Sequence, residues 1–129
     1  MGAKTSVLYF DDSQLLLRLF REMFGDDFDV RTAATLSDAR RELSRLPNVV
    51  ISDLNILEVS GIDFLRLAEK VCPDCYRVLL TGQGTVGNML REISTGLVQV
   101  FITKPWTEAE MREALERAAA PRRSLRPRP

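Results

Sequence analysis

The sequence predicts a doubly wound α/β domain, a (βα)5 unit with one parallel five-stranded sheet covered by helices on both faces. Two observations predict it. Short apolar runs alternate with amphipathic segments in the strict order βαβαβαβαβα, the pattern of repeated βαβ crossovers. The runs are rich in β-branched and aromatic residues and lie between polar segments, as buried strands do. A chain of 129 residues suits one domain of this kind.

The elements follow in order. VLYF (7–10) reads as a buried strand. After Ser13, the residues Leu15, Leu16, Leu19, Phe20, Met23 and Phe24 fall on one helical face, and Gly25 stops that helix. FDVRTA (28–33) alternates and reads as a more exposed strand. Ser37 can cap a second helix carrying Ala39, Leu43 and Leu46, ended by Pro47. NVVISD (48–53) is the most apolar strand. Residues 62–71 give a third helix, with Ile62, Leu65 and Ala68 at helical spacing. YRVLLT (76–81) is the fourth strand, and the glycine-rich segment GQGTVGNMLREISTG (82–96) leads into a weak fourth helix. VQVFIT (98–103) is the fifth strand. Thr107 and Glu110 form a capping box that opens a fifth helix, running to about Ala119. Residues 1–120 thus make one domain, and PRRSLRPRP (121–129) reads as a basic tail or the start of a linker.

Composition narrows the function. Residues 1–120 hold 14 Lys and Arg against 18 Asp and Glu, a balance of −4, and the tail adds four arginines. A mildly acidic body does not predict direct nucleic-acid binding. No apolar run approaches the roughly 20 residues that span a bilayer. The N-terminal MGAKTS lacks the pattern of a signal peptide, so a cytoplasmic location is expected. Cys72 and Cys75 form CPDC between a helix and a strand, the reverse of the order a redox CxxC needs. With no histidine and no third cysteine, a structural zinc site is also excluded.

In a parallel doubly wound sheet, ligands bind beyond the carboxyl ends of the strands. Those ends carry chemistry here. The first strand ends in Asp11 and Asp12, the third in Asp53, the fourth in Thr81 and Gly82, and the fifth in Thr103, Lys104 and Pro105. Each alone has an ordinary explanation as a turn, a cap or a solvated charge. Their coincidence at strands one, three, four and five, and not at strand two, does not. It fits a sheet ordered 2-1-3-4-5, in which strand two is the edge beyond the switch point. Three converging carboxylates repel unless a cation intervenes, and an oxygen-only cluster suits Mg²⁺. A carboxylate, a metal, an ammonium and a hydroxyl together suit phosphoryl transfer, which depends on positioning and charge neutralisation.

The motifs VLYFDD, VVISDLNILEVSG, VLLTG and VFITKPW, in this order, resemble the receiver domain of two-component response regulators, a CheY-like, flavodoxin-like fold. The resemblance covers about residues 5–119. It implies that Asp53 accepts a phosphoryl group, that Asp11, Asp12, Asp53 and the backbone carbonyl of Asn55 hold Mg²⁺, and that Lys104 pairs with the phosphoryl group. It implies further that Thr81 and Phe101 form the switch, that Gly61, Gly82 and Pro105 shape the surrounding loops, and that the Lys104–Pro105 bond is often cis. Its expected partners are a sensor histidine kinase or phosphotransfer protein, and an output domain or protein reached through the surface of the fourth helix, fifth strand and fifth helix. Homodimerisation through that surface is a further expectation, and membrane contact is not expected. Leu57 departs from the proline often found four residues after the acceptor, which implies a less rigid loop. Asn55 and Gln83 stand at positions that tune dephosphorylation in the family. The KPW form is similar to receivers joined to cyclic-dinucleotide phosphodiesterase or enhancer-binding outputs.

Three other readings compete. A phosphatase of the haloacid-dehalogenase type also uses an aspartyl nucleophile, but there the nucleophile closes the first strand as DxD, whereas this strand ends DDS. A flavodoxin-like nucleotide binder needs a glycine-bearing phosphate loop after the first strand, and DDSQ has none. A pseudo-receiver would share the fold without phosphorylation, although all five core residues are present. The expected activity is therefore self-catalysed phosphotransfer with slow autodephosphorylation, not turnover of a metabolite.

Overall fold

A computed structural model describes residues 4–82 and 95–120. Five strands, β1 (Ser6–Phe10), β2 (Asp29–Ala33), β3 (Val49–Asp53), β4 (Tyr76–Thr81) and β5 (Val100–Thr103), form one sheet in the order β2-β1-β3-β4-β5. Every pairing is parallel. Helices α1 (Gln14–Phe24), α2 (Leu36–Leu43) and α3 (Gly61–Val71) and a C-terminal helix (Glu108–Ala119) cover its two faces. The fold class and strand order are those expected. The weak fourth helix expected within 82–96 falls almost entirely outside the described residues.

The strands alternate between two apolar layers, as a period of two requires. Val7, Tyr9, Ile51, Val78 and Leu80 point towards α1 and the C-terminal helix, meeting Phe20, Phe24, Met111 and Leu115. Leu8, Phe10, Val50 and Leu79 point the other way, against Leu43, Phe64, Leu65 and Ala68 of α2 and α3. β3 and β4 are buried along their whole length, whereas β2 is an edge strand with Asp29 and Arg31 exposed.

Helix starts follow side-chain capping. Ser13, Thr35, Ser60 and Thr107 each accept a hydrogen bond from a backbone N–H in the first turn. The Thr107–Glu110 capping box is present as expected. The second helix, however, is capped by Thr35 and not by Ser37. Thr35 is extended (φ −124°, ψ 156°) and takes the Asp38 N–H, while Ser37 already lies inside the first turn.

Two apolar assignments also shift. The buried stripe of α1 is Leu17, Phe20 and Phe24, spaced i, i+3, i+7, while Leu15 is 62% exposed. Leu46 lies beyond α2 with φ 57° and stays exposed, because the helix ends at Leu43.

Cys72 and Cys75 are both buried between α3 and β4. Beside them the buried Arg77 donates to the carbonyls of Cys75 (2.9 Å), Leu97 (2.6 Å) and Gly96 (3.2 Å). That fan of bonds ties the approach to β5 onto β4.

Candidate functional site

The register brings the strand ends to one edge. Phe10 stands beside Ser52, Asp53 beside Leu80, and Thr81 beside Thr103, so the residues that follow share a small volume. Lys104 Nζ lies 3.2 Å from Asp53 Oδ1 and 3.9 Å from Asp11 Oδ2. Its backbone N–H donates to the Thr81 carbonyl at 2.7 Å, and the Lys104–Pro105 peptide bond is cis. Asp53 is 6% exposed and Asp11 only 1%.

The three carboxylates have different surroundings. Both Asp11 oxygens are engaged: Oδ1 accepts from the Ser13 N–H at 2.9 Å and Oδ2 from the Tyr9 hydroxyl at 2.8 Å. Asp12 is exposed and accepts from the Leu57 N–H at 3.3 Å through Oδ2. Among the described residues nothing donates to Asp12 Oδ1 or to Asp53 Oδ2. Those residues also hold no ready-made cluster of three acidic ligands. The donor set is nonetheless all hard oxygen, and it leaves oxygens open on Asp12 and Asp53. That suits a cation that keeps most of its own water, as Mg²⁺ does.

Thr81 is fully buried, and its Oγ1 has no hydrogen-bond partner among the described residues. A buried hydroxyl in that state costs about 1–3 kcal/mol. Such a penalty is tolerated where a ligand completes the bond. Phe101 is half-buried and packs on the layer that carries α2 and α3.

The loop after Asp53 is tied at several points. Leu54 and Gly61 close it by a 2.8 Å backbone bond, and Asn55, exposed, bridges to Ser60. Leu57 donates to Asp12, a bond that proline there could not make. Glu58 Oε1 accepts the Leu36 N–H at the start of α2 at 2.8 Å. Gly61 has no room for a side chain, while a Cβ at Gly82 would meet nothing within 4 Å. Gln83 lies outside the described residues.

Electrostatics single out Asp53. Burial pushes its carboxyl above the ordinary value of 3.8; the Lys104 ammonium opposes that rise, while Asp11 and Asp12 add to it. The native state therefore holds this proton more tightly than the unfolded chain. Stability is unaffected by Asp53 below pH 3.8 and is lost as pH rises from there through the folded value. Asp53→Asn in EDTA is thus expected to raise the melting temperature at pH 7.5. The gain should shrink towards pH 4 in a thermal scan series. An equal gain at both pH values would show that charge is not its cause.

One participant was not legible beforehand. Tyr9 reads from sequence as one more strand residue. The available signal was spacing: residues 9 and 11 share one side of an extended chain, so a hydroxyl two positions before Asp11 points the same way.

Comparison with known proteins bears on the family and the fold. The family model for the response regulator receiver domain matches residues 7–116. The C4-dicarboxylate transport transcriptional regulatory protein DctD of Pseudomonas aeruginosa is 30% identical over 125 residues, covering 94% of this chain and 26% of that protein. The photosynthetic apparatus regulatory protein RegA of Cereibacter sphaeroides is 28% identical over 117 residues, 89% of this chain and 63% of that protein. The chain thus spans about a quarter of DctD and under two-thirds of RegA. A solved response regulator receiver domain protein from Clostridium thermocellum superposes with a TM-score of 0.84 at 25% identity, covering 95% of this chain and 99% of that one. By its motifs, its sheet order and this match across most of its length, the chain belongs to the response regulator receiver domain family.

Proposed function

We propose that this receiver is phosphorylated on Asp53 and passes the change to an output through the β5 side of the domain. The observation that carries the reading is the trio at the strand ends: Asp53, Lys104 at 3.2 Å, and the unpartnered hydroxyl of Thr81. An oxygen of the Asp53 carboxylate attacks the phosphorus of a phosphoimidazole or acyl phosphate. The bond to the donor's leaving group breaks, and an aspartyl phosphate remains. Lys104 offsets charge on the transferred oxygens. Thr81 Oγ1 donates to one of them and gains the partner it lacks. Mg²⁺, when bound by Asp12, Asp53 and the Asn55 carbonyl, supplies the remaining charge neutralisation. Asp11 supports that site from behind. The new group adds up to about two negative charges and three acceptor oxygens, enough to shift populations at Phe101 and the surface around β5.

A sensor histidine kinase or a phosphotransfer protein supplies the phosphoryl group in this reading. The output is a domain or protein of the kind carried by the longer transcriptional regulators that the chain resembles in part. This chemistry is self-catalysed and single-turnover. The reading places the domain in the cytoplasm; no described helix is long and apolar enough to cross a membrane.

Intact mass after incubation with acetyl phosphate or phosphoramidate, with and without Mg²⁺, tests the reading. The expected result is a Mg²⁺-dependent gain of one phosphoryl group, absent in Asp53→Ala. No adduct under any condition, even with a beryllofluoride mimic, would replace this reading with that of a phosphorylation-independent pseudo-receiver.

A further inference from the structure

The CPDC segment lies at the amino ends of the strands, where Tyr76 begins β4 beside Val49 of β3, away from the acidic edge. Cys72 ends α3 and Cys75 precedes β4; both are thiols and both are buried. The Cys75 N–H donates to the Cys72 carbonyl at 3.0 Å, so the four residues close as a tight turn, with Pro73 at its first corner. The first and last Cα atoms of such a turn lie within ~7 Å. A disulfide spans Cα separations of about 4.4–6.8 Å. The backbone thus already brings the two cysteines into bridging range. Both also line an open cleft of about 270 Å³ with Leu46, Pro47, Val71 and Pro73, which gives a small thiol reagent a way in.

Arg77 joins this turn to the far side of β4. Its Nη1 lies 3.5 Å from Cys75 Sγ and donates to the Cys75 carbonyl at 2.9 Å. The same guanidinium donates to the Leu97 carbonyl through Nε at 2.6 Å and to the Gly96 carbonyl through Nη2 at 3.2 Å. Its backbone is paired with Gln99 in both directions: the Arg77 N–H donates to the Gln99 side chain at 2.6 Å, and the Gln99 N–H donates to the Arg77 carbonyl at 2.9 Å. One residue therefore touches the sulfur at one end and the approach to β5 at the other.

We infer that Cys72 and Cys75 form a reversible disulfide, a modification site independent of Asp53, and that Arg77 carries its state to the Gly96–Gln99 approach to β5. The oxidant is a low-molecular-weight disulfide such as oxidised glutathione. The Cys75 thiol loses its proton to solvent, and its thiolate, favoured by the guanidinium beside it, attacks one sulfur of that disulfide. The external S–S bond breaks and one thiolate leaves. The Cys72 thiol then loses its proton to solvent and attacks the Cys75 sulfur of the mixed disulfide, releasing the second thiolate. Two cysteines are oxidised, and one external disulfide is reduced to two thiols. The bridged Cys75 sulfur carries neither charge nor proton, so Arg77 Nη1 keeps only the carbonyls of Cys75 and Pro73. Its hold on the 96–99 segment loosens. The helix-before-strand order, wrong for a dithiol catalyst, suits this use, because the bond acts on its own fold and transfers nothing to a substrate. In a reducing compartment such a bond is transient, as a sensor requires.

The experiment equilibrates the wild-type protein with mixtures of reduced and oxidised glutathione, blocks remaining thiols with iodoacetamide, and weighs the chain intact. The expected product has lost two hydrogens, retains no glutathione and takes up no iodoacetamide. Its equilibrium constant should be about tenfold or more larger for the folded protein than for the protein in urea, because the fold already holds the turn closed. Amide hydrogen exchange over residues 96–99 should then quicken about threefold in the bridged form and return on reduction with dithiothreitol. Arg77→Lys keeps the charge and loses the planar fork that reaches both ends, so bridging should leave exchange there unchanged. The wild-type comparison stands alone should that variant fold poorly.

No bridged species, a glutathione adduct that persists, or a bridge no more favoured in the fold than in urea would overturn the site. A bridge that leaves exchange over 96–99 unchanged in wild type, or that quickens it equally in Arg77→Lys, would overturn the relay through Arg77 and leave the disulfide standing.

Discussion

Lys104→Met is expected to slow the proposed phosphorylation of Asp53 by acetyl phosphate about 100-fold, the loss typical when one preorganised donor is removed from a developing negative charge. Among the described residues Lys104 is the cation paired with either buried carboxylate, at 3.2 Å from Asp53 and 3.9 Å from Asp11. Methionine retains most of the apolar stem, so the packing is spared and the charge alone is tested. An adduct should still form on Asp53, because the proposed nucleophile is untouched. A second effect has a definite sign. The ammonium holds the Asp53 carboxyl down against burial and against Asp11 and Asp12. Without it the carboxyl rises further. The acidic limb of the rate profile then moves to higher pH, since attack requires the ionised form. A time course of intact mass across pH reads both effects. A rate near wild type, or a limb that does not move, would sink the electrostatic role of Lys104. Lys104→Arg separates charge from shape. It keeps the charge on a planar fork that does not reproduce the point contact of an ammonium, and recovers only part of the rate.

The parts of this site that were legible in the sequence are those set by topology. In a parallel sheet the residue after each strand falls at one edge whatever its side chain does next. Asp11, Asp53, Thr81 and Lys104 could therefore be placed together from strand ends alone. The parts that were not legible depend on choices between near-equal neighbours. The run Leu15-Leu16-Leu17 offers three leucines for one buried stripe, and the core takes Leu17 because it continues the line of Phe20 and Phe24. Thr35 and Ser37 are both good caps, and the backbone becomes extended at Thr35. Tyr9 needed information of another kind: its hydroxyl is meaningful only because it donates to Asp11 Oδ2, at 2.8 Å. Leu57 shows an absence with a positive reading. Lacking the proline that would stiffen the loop, the chain has an N–H there, and it donates to Asp12.

Gly61→Ala is the substitution with the largest expected effect on the fold, and its effect reaches the site. A Cβ at this position would stand 2.4 Å from the Asp53 carbonyl oxygen, 2.8 Å from Leu54 Cα and 2.9 Å from Leu79 Cδ1. Two of those atoms are backbone, so no rotamer change relieves the contact. The backbone of Asp53 and Leu54 must move, or α3 must lift from β3. The Gly61 N–H also donates to the Leu54 carbonyl at 2.8 Å, so the close approach that excludes a side chain is the same approach that closes the loop. Overpacking of this type costs about 3 kcal/mol. For a domain of this size that is a fall of about 10 °C in melting temperature. Gly82→Ala is the matched control, because a Cβ there meets nothing within 4 Å, and it should melt close to wild type. The two backbone clash atoms belong to Asp53, the proposed phosphoacceptor, and its neighbour Leu54. Gly61→Ala should therefore also phosphorylate more slowly than wild type at a temperature where both are fully folded. Melting curves and mass time courses on the pair measure the two effects separately. Equal melting of Gly61→Ala and Gly82→Ala would mean that the seat of α3 on β3 can give way freely, and that the Asp53 backbone is not held by it.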